Sequence, residues 1–307
     1  MKNSFLTLFI GGNIDLTNEK DYNKLEVRYT MRFVKTKTFR VILIIVLVFF
    51  VRHIMCISDA FYVPEYDYQS IDKVLNKEIL TDDDYNLIFS QTGISPRACR
   101  ELIGANKKYI IKNLNSLYFE KPDIKRQYIF FPVTCEEKNT SQKTPVALLK
   151  DGDILITFNT HTLDWRHGHA AIVTDAASGE ILEHKSIGNV STLSYIDFWR
   201  KYPAFMILRH ADENIAKKAA DYAKETLCGI EYNLLAGFIK KDKSDEVRPT
   251  GSHCSHIVWQ AYKAAGDDID YNGGAVVTPS DIAKSDKLGL IQIYGIDPEK
   301  YTLKVLN

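Results

Sequence analysis

The stretch Gly251-Ser252-His253-Cys254-Ser255-His256-Ile257-Val258-Trp259-Gln260-Ala261-Tyr262 constrains the fold more than any other part of the chain. Ile257, Val258, Ala261 and Ala265 recur at helical spacing, Ser252 stands where an N-cap belongs, and Gly266 is placed to stop the run. A helix here puts Cys254 in the first turn, where unpaired backbone N–H groups and the positive end of the helix dipole favour a thiolate. The segments around it read as strands at 152–158, 168–174, 181–184, 205–209 and 290–294, each bounded by turn residues. Asp212 caps a helix whose Ala216, Ala219, Ala220, Ala223 and Leu227 form one apolar stripe ended by Gly229, and Thr278-Pro279-Ser280-Asp281 opens a short one. The class this predicts is α+β, an antiparallel sheet packed against the Cys254 helix.

A cysteine nucleophile needs a base within hydrogen-bond reach and a polar group that orients the base. Seven of the eight histidines fall between His161 and His256. His169 opens a strand of small and apolar residues, so its ring is expected at the rim of the sheet. Glu183 lies one hairpin further on, and a carboxylate beside the ring would hold its tautomer and stabilise imidazolium. His184 points to the opposite face of that strand, so the orienting role goes to Glu183. The expected catalytic set is therefore Cys254, His169 and Glu183. Tyr232, Trp165 and Ser255 are the candidate substrate-contacting residues, with simple packing as the plain alternative for the two aromatics. An inert buried thiol is the plain alternative for Cys254. His167 with His169, and His253 with Cys254 and His256, carry zinc-type ligands, but their spacing matches no finger or zincin, and neither metal nor cofactor is expected.

The 39 Lys and Arg balance the 39 Asp and Glu, which gives no footing for a nucleic-acid binder. Near the N-terminus Arg32, Lys35, Lys37 and Arg40 precede an apolar run at 41–51, and Ser58-Asp59-Ala60 follow. This is the order of a secretory signal peptide, with a single-pass anchor over 41–57 as the alternative and an extracytoplasmic location in either case. Residues 1–30 are then a leader of uncertain role, with Met31 as the expected start, and 31–60 the signal or anchor. Residues 61–145 read as a helical appendage and linker. Thr81-Asp82-Asp83-Asp84 and Ser95-Pro96 begin its helices, and 136–145 reads as a polar linker without apolar anchors. Residues 146–307 form the catalytic domain. After such cleavage four cysteines remain; export would permit a Cys99–Cys135 bridge, although the spacing does not require one, and Cys228 reads as a small hydrophobe. Lys240, Lys241 and Lys243 read as a solvated loop able to meet an anionic wall polymer.

The motifs resemble the NlpC-type branch of papain-like cysteine peptidases in its circularly permuted, YiiX-like form. Gly168-His169-Ala170-Ala171-Ile172-Val173 precedes His253-Cys254-Ser255-His256-Ile257-Val258, the reverse of the unpermuted order of Cys helix and His strand. Gly152-Asp153-Ile154-Leu155, Gly229-Ile230-Glu231-Tyr232 and Thr278-Pro279-Ser280-Asp281 resemble three further family segments. The resemblance covers about residues 146–296. It implies a permuted papain-like fold with Cys254, His169 and Glu183 as nucleophile, base and third residue, and an exported amidase or peptidase acting on peptidoglycan peptides or another amide or acyl substrate. Related permuted branches include lipid acyltransferases. Two positions depart from the pattern: His256 stands where relatives often carry an acidic residue, and Ala170-Ala171 replaces a commoner Val-Gly.

Overall fold

The computed structural model describes residues 37–58, 61–130, 133–162, 165–237, 249–301 and 304–306. The leader at 1–30, the Met31 start, Arg32, Lys35, the Asp59-Ala60 exit and the Lys240, Lys241 and Lys243 loop lie outside the described residues. The chain divides into two units, residues 1–54 and 55–307. In the first, helix α1 (Lys37–Ser58) continues through Arg52 and His53 instead of ending with the apolar run, and its side chains at 41–51 are exposed. Among the described residues no helix is long and apolar enough to cross a membrane.

The second unit opens with four helices, α2 (Asp72–Leu75), α3 (Asp82–Thr92), α4 (Pro96–Gly104) and α5 (Lys108–Leu117), of which α3 and α4 are the two that the capping signals predict. Thr81 accepts from the Asp84 amide while the Asp84 carboxylate accepts from that of Thr81, so two orphan donors at the start of α3 are satisfied reciprocally. Gly93 ends α3 in the left-handed region, and a Cβ there would lie 1.9 Å from the Ile293 carbonyl oxygen. Ser95 caps α4, with Pro96 as its first residue.

Strands β1 (Ile124–Phe130), β2 (Val133–Lys138), β3 (Ile154–Thr157), β4 (Thr160–Thr162), β5 (Trp165–Arg166), β6 (His169–Asp175), β7 (Glu180–Glu183) and β8 (Thr192–Tyr195) follow. After them come α6 (Ile196–Trp199), β9 (Phe205–His210), α7 (Glu213–Thr226), α8 (Cys254–Ala265), α9 (Pro279–Ala283) and β10 (Leu288–Tyr294). They form a six-stranded sheet of order β10-β9-β3-β6-β7-β8 and a four-stranded sheet of order β1-β2-β4-β5. Every strand pairing among the described residues is antiparallel, so the fold is α+β as the strand and helix pattern predicts.

Strand alternation divides the large sheet into two buried faces. Ile154, Ile156, Ala170, Ile172, Leu182, Met206 and Leu208 pack with α7 and α8, where Ala219, Ala223, Ile257, Val258 and Ala261 meet them. Leu155, Ala171, Val173, Ile181 and Ile207 pack on the opposite side with Ile88, Leu102, Ile111 and Leu114 of the N-terminal helices. The appendage therefore covers the second face of the sheet and shares its core. Arg209 ties it there. From β9 the buried guanidinium meets both Asp153 oxygens (2.7 and 2.8 Å), both Glu101 oxygens on α4 (3.1 and 2.9 Å) and the Leu148 carbonyl (2.9 Å).

Two sequence expectations are corrected, and a pairing that the spacing left open is absent. Residues 136–138 belong to β2 and are buried, not a solvated linker. Their charges are satisfied inside the protein: Glu136 pairs with Arg166, and the Lys138 ammonium donates to the Thr144 hydroxyl at 2.7 Å. Helix α8 is capped by His253, whose Nδ1 accepts from the His256 amide, and the Ser252 hydroxyl instead contacts His256 Nδ1 at 3.0 Å. Cys99 and Cys135 are both free and buried, so no bridge joins them.

Candidate active site

The site forms where the large sheet ends and α8 begins. Gly168 has φ 78°, and a Cβ on it would come 2.6 Å from the Thr157 carbonyl oxygen, so a glycine is what lets β6 start this close to β3. His169 is the next residue and the first of the strand. In the β6–β7 register Ala171 faces Glu183, and since residues 169 and 171 share a face, Glu183 becomes the diagonal neighbour of His169. Its Oε2 lies 2.9 Å from His169 Nε2.

Glu183 is fully buried and its remaining capacity is used. The Ser194 hydroxyl donates to Oε1, Lys185 approaches the same oxygen at 3.2 Å, and the Trp199 indole donates to Oε2 at 3.3 Å. The His169 ring stacks on Trp199 with centroids 5.2 Å apart. With Nε2 committed to Glu183, Nδ1 is the nitrogen left for the thiol of Cys254, the first residue of α8.

The electrostatics follow from these contacts. Burial raises the Glu183 carboxyl, but the His169 hydrogen bond and charge outweigh it and hold the group at about 2. Burial pushes His169 down, yet hydrogen bonding to Cys254 and Glu183 and their charges raise it to about 9. For Cys254 burial again opposes the charge, and interaction with the His169 and His253 rings overcomes it, leaving the thiol well below its ordinary range. The arrangement favours a carboxylate, an imidazolium and a thiolate in sequence, with the thiolate at a helix N-terminus.

Cys254 opens on a cleft of about 440 Å³ whose wall includes Trp165, His167, Tyr232, Leu234, Ser255, Val277 and Pro279. The other residues singled out from the sequence thus stand around one cavity, with unequal freedom. Tyr232 is held by a bridge to Ser252 and by its amide bond to the Asn189 carbonyl (3.1 Å). Burial, and then the Cys254 charge, push its hydroxyl up, so it stays a protonated donor. Trp165 is 59% exposed at the mouth. Ser255 is buried and its hydroxyl donates to the Val277 carbonyl at 2.8 Å, so it ties the cleft wall together instead of reaching for a ligand. His184 leaves the site on the other face of β7 and packs edge-on against Tyr232, centroids 4.8 Å apart.

No sequence signal marks Ser194 and Trp199, which complete the surroundings of Glu183 and His169. They sit on the short β8 and α6, too brief for a period to show. His167 is a wall residue whose Nδ1 donates to its neighbour's carbonyl (2.9 Å) and whose Nε2 faces the Thr162 hydroxyl (3.0 Å). Among the described residues no group of three or more His, Cys, Asp and Glu is arranged to hold a metal ion. No protein-family model, curated protein or solved structure matches the chain.

Proposed function

We propose that the protein is an exported thiol hydrolase of circularly permuted papain-like architecture that opens an amide or acyl bond through an acyl-enzyme on Cys254. The observation that carries this reading is the buried line Glu183–His169–Cys254 ending on an open cleft. The base strand preceding the nucleophile helix supports the permuted order, and the basic-then-apolar run at the N-terminus supports export.

In this mechanism the Cys254 thiolate attacks the carbonyl carbon, a C–S bond forms, and the carbonyl electrons move to oxygen beside the Cys254 backbone N–H. His169 gives its Nδ1 proton to the leaving nitrogen or oxygen as that bond breaks. The neutral ring then takes a proton from water, whose oxygen attacks the thioester carbonyl, and the tetrahedral species collapses to acid and thiolate. Glu183 keeps its charge throughout and holds Nε2–H, which fixes the ring and stabilises imidazolium.

Peptidoglycan peptides are the amide substrates that an exported hydrolase of this kind meets. A second reading, acyl esters or thioesters of lipids, is favoured by the cleft itself, where Val276, Val277 and Pro279 line the wall and Ile187 and Leu234 are 56% and 58% exposed at the rim. The test of the chemistry is iodoacetamide labelling of the purified protein from pH 4 to 9, with mass spectrometry locating the adduct. Cys254 should label selectively well below the ordinary thiol pKa of about 8.5, and His169→Ala should abolish that selectivity. Cys254→Ala should abolish turnover of peptidoglycan fragments or acyl lipids without lowering the melting temperature. Labelling of Cys254 no faster than Cys99, Cys135 or Cys228 overturns the reading.

A further inference from the structure

We propose that His253 is a catalytic residue, the side-chain donor of the oxyanion site, acting with the backbone N–H of Cys254. This rests on the thiol-hydrolase reading and adds a group which that reading does not require.

The inference follows from which ring nitrogen can carry the proton. His253 has the extended conformation of an N-cap residue (φ −131°, ψ 175°), and this folds its ring back over the first turn of α8. Its Nδ1 stands 3.4 Å from the His256 amide, which can only donate, so Nδ1 accepts. The Ser255 hydroxyl lies 3.4 Å from the same nitrogen but gives its single proton to the Val277 carbonyl at 2.8 Å. An accepting Nδ1 leaves the ring hydrogen on Nε2.

That Nε2–H belongs to a residue that is 95% buried, and among the described residues no hydrogen-bond partner of ordinary geometry meets it. Orphaned buried donors destabilise a fold, and His253 would cap α8 equally well as Ser, Asn or Asp. The ring lines the cleft beside Cys254, and it is one of the two imidazoles whose interaction lowers the thiol. Two of the amides at the helix start are used: His256 N–H goes to the His253 ring and Ile257 N–H to the His253 carbonyl (2.9 Å). The amide of Cys254 has no intrahelical partner, as at any helix start. A buried donor on a residue that lines the cleft next to the nucleophile is satisfied when a carbonyl oxygen becomes an oxyanion there. No proton leaves His253 in this role; it donates a hydrogen bond and keeps the hydrogen.

The cap and the donor can be separated. In His253→Asn the side-chain oxygen takes the place of Nδ1 and keeps the cap, but the donor no longer reaches. In His253→Gln the amide nitrogen reaches the place of Nε2. Three readings on the full chain decide: the melting temperature, the iodoacetamide pH profile of Cys254, and kcat for p-nitrophenyl butyrate, a small activated ester. His253→Asn should melt like wild type and, with each protein assayed above its own Cys254 alkylation midpoint, lose about 10²-fold in kcat, with at least about tenfold recovered in His253→Gln. His253→Ser, a second cap-keeping variant, carries the comparison if His253→Asn melts early. Wild-type kcat in the cap-keeping variants overturns the proposal and leaves His253 as a cap. A kcat loss that disappears when the proteins are compared at equal thiolate fraction also overturns it, because His253 would then act only on the thiolate. A wild-type protein that neither labels at low pH nor hydrolyses the ester overturns the underlying hydrolase reading, and this proposal with it.

Discussion

Glu136 and Glu183 are two carboxylates with the same local description and different consequences. Each side chain is 1% exposed, each meets a basic side chain at 2.8–2.9 Å, and each is held at about 2 against the upward pull of burial. Glu136 bridges β2 to the guanidinium of Arg166 on β5 through two parallel bonds (2.8 and 2.9 Å), with Asn159 donating at 3.2 Å and the His161 ring 3.6 Å away. Glu183 meets one nitrogen of an imidazole whose other nitrogen is left to a thiol. An arginine cannot release its proton, so the first pair fixes geometry and nothing more. A histidine can, so the second pair stores a proton that chemistry can use. Burial of a carboxylate does not distinguish a strut from a site; the partner's second contact does.

The strongest way to break the comparison is Glu136→Gln. It takes the anion from the half-buried Arg166 guanidinium, which keeps its bond to the Phe158 carbonyl (2.9 Å), and the expected loss is ~1–3 kcal/mol of unfolding free energy, read by urea denaturation. The labelling rate of Cys254 in the fraction that remains folded should be unchanged. Glu183→Gln should do the reverse. The amide oxygen still accepts from Nε2–H, so folding is perturbed less, but the anion that raises His169 is gone. The upper limb of the pH–activity profile should move down by ~1–3 units from about 9, with activity lost at neutral pH as His169 gives up its proton. An unchanged upper limb would show that Glu183 does not set the charge of His169.

Wild-type pH dependence sharpens the contrast with the smallest perturbation. Both carboxylates have folded values below the unfolded ~4.3, so their stabilisation is present above that pH and fades as pH falls toward about 2. His169 is raised from ~6.5 to about 9, so its contribution is full below the lower value and is lost as pH rises through the higher one. Activity should therefore fall through pH 9 while the part of the stability due to Glu136 and Arg166 stays intact. Melting curves and rates of wild type and Glu136→Gln collected from pH 6 to 10 test this; a stability difference between the two proteins that shrinks through pH 9 would merge the two pairs into one network.

What was legible in the sequence follows the same division. The Cys254 helix, the His169 strand and the hairpin that delivers Glu183 announce themselves through period, caps and turns, since each is a local pattern within about a dozen residues. The capping signals at Thr81 and Ser95 likewise place α3 and α4 correctly. The four-stranded sheet escapes because its buried positions hold Thr134, Glu136, Lys138 and His161, polar residues whose satisfaction comes from distant partners. Arg166 is 30 residues from Glu136, and no window over β2 contains it. The cap of α8 slips by one residue because Ser252 and His253 can both accept from the first turn, and only the chain's entry angle chooses between them. The stack of His169 on Trp199 depends on where α6 lands after the β7–β8 hairpin, which spacing leaves open.

The division of the large sheet into two faces has one more consequence. Cys254 rides on α8, in the layer that packs on one face, whereas His169 and Glu183 sit on the face that the N-terminal helices cover, with Trp199 beside them. The acidity of the thiol exists only when both layers are docked at the end of the sheet. A chain with its hairpins and helices formed but its layers still loose carries an ordinary, slow sulfur. The reactivity of a single atom thus reports whether the two layers have docked.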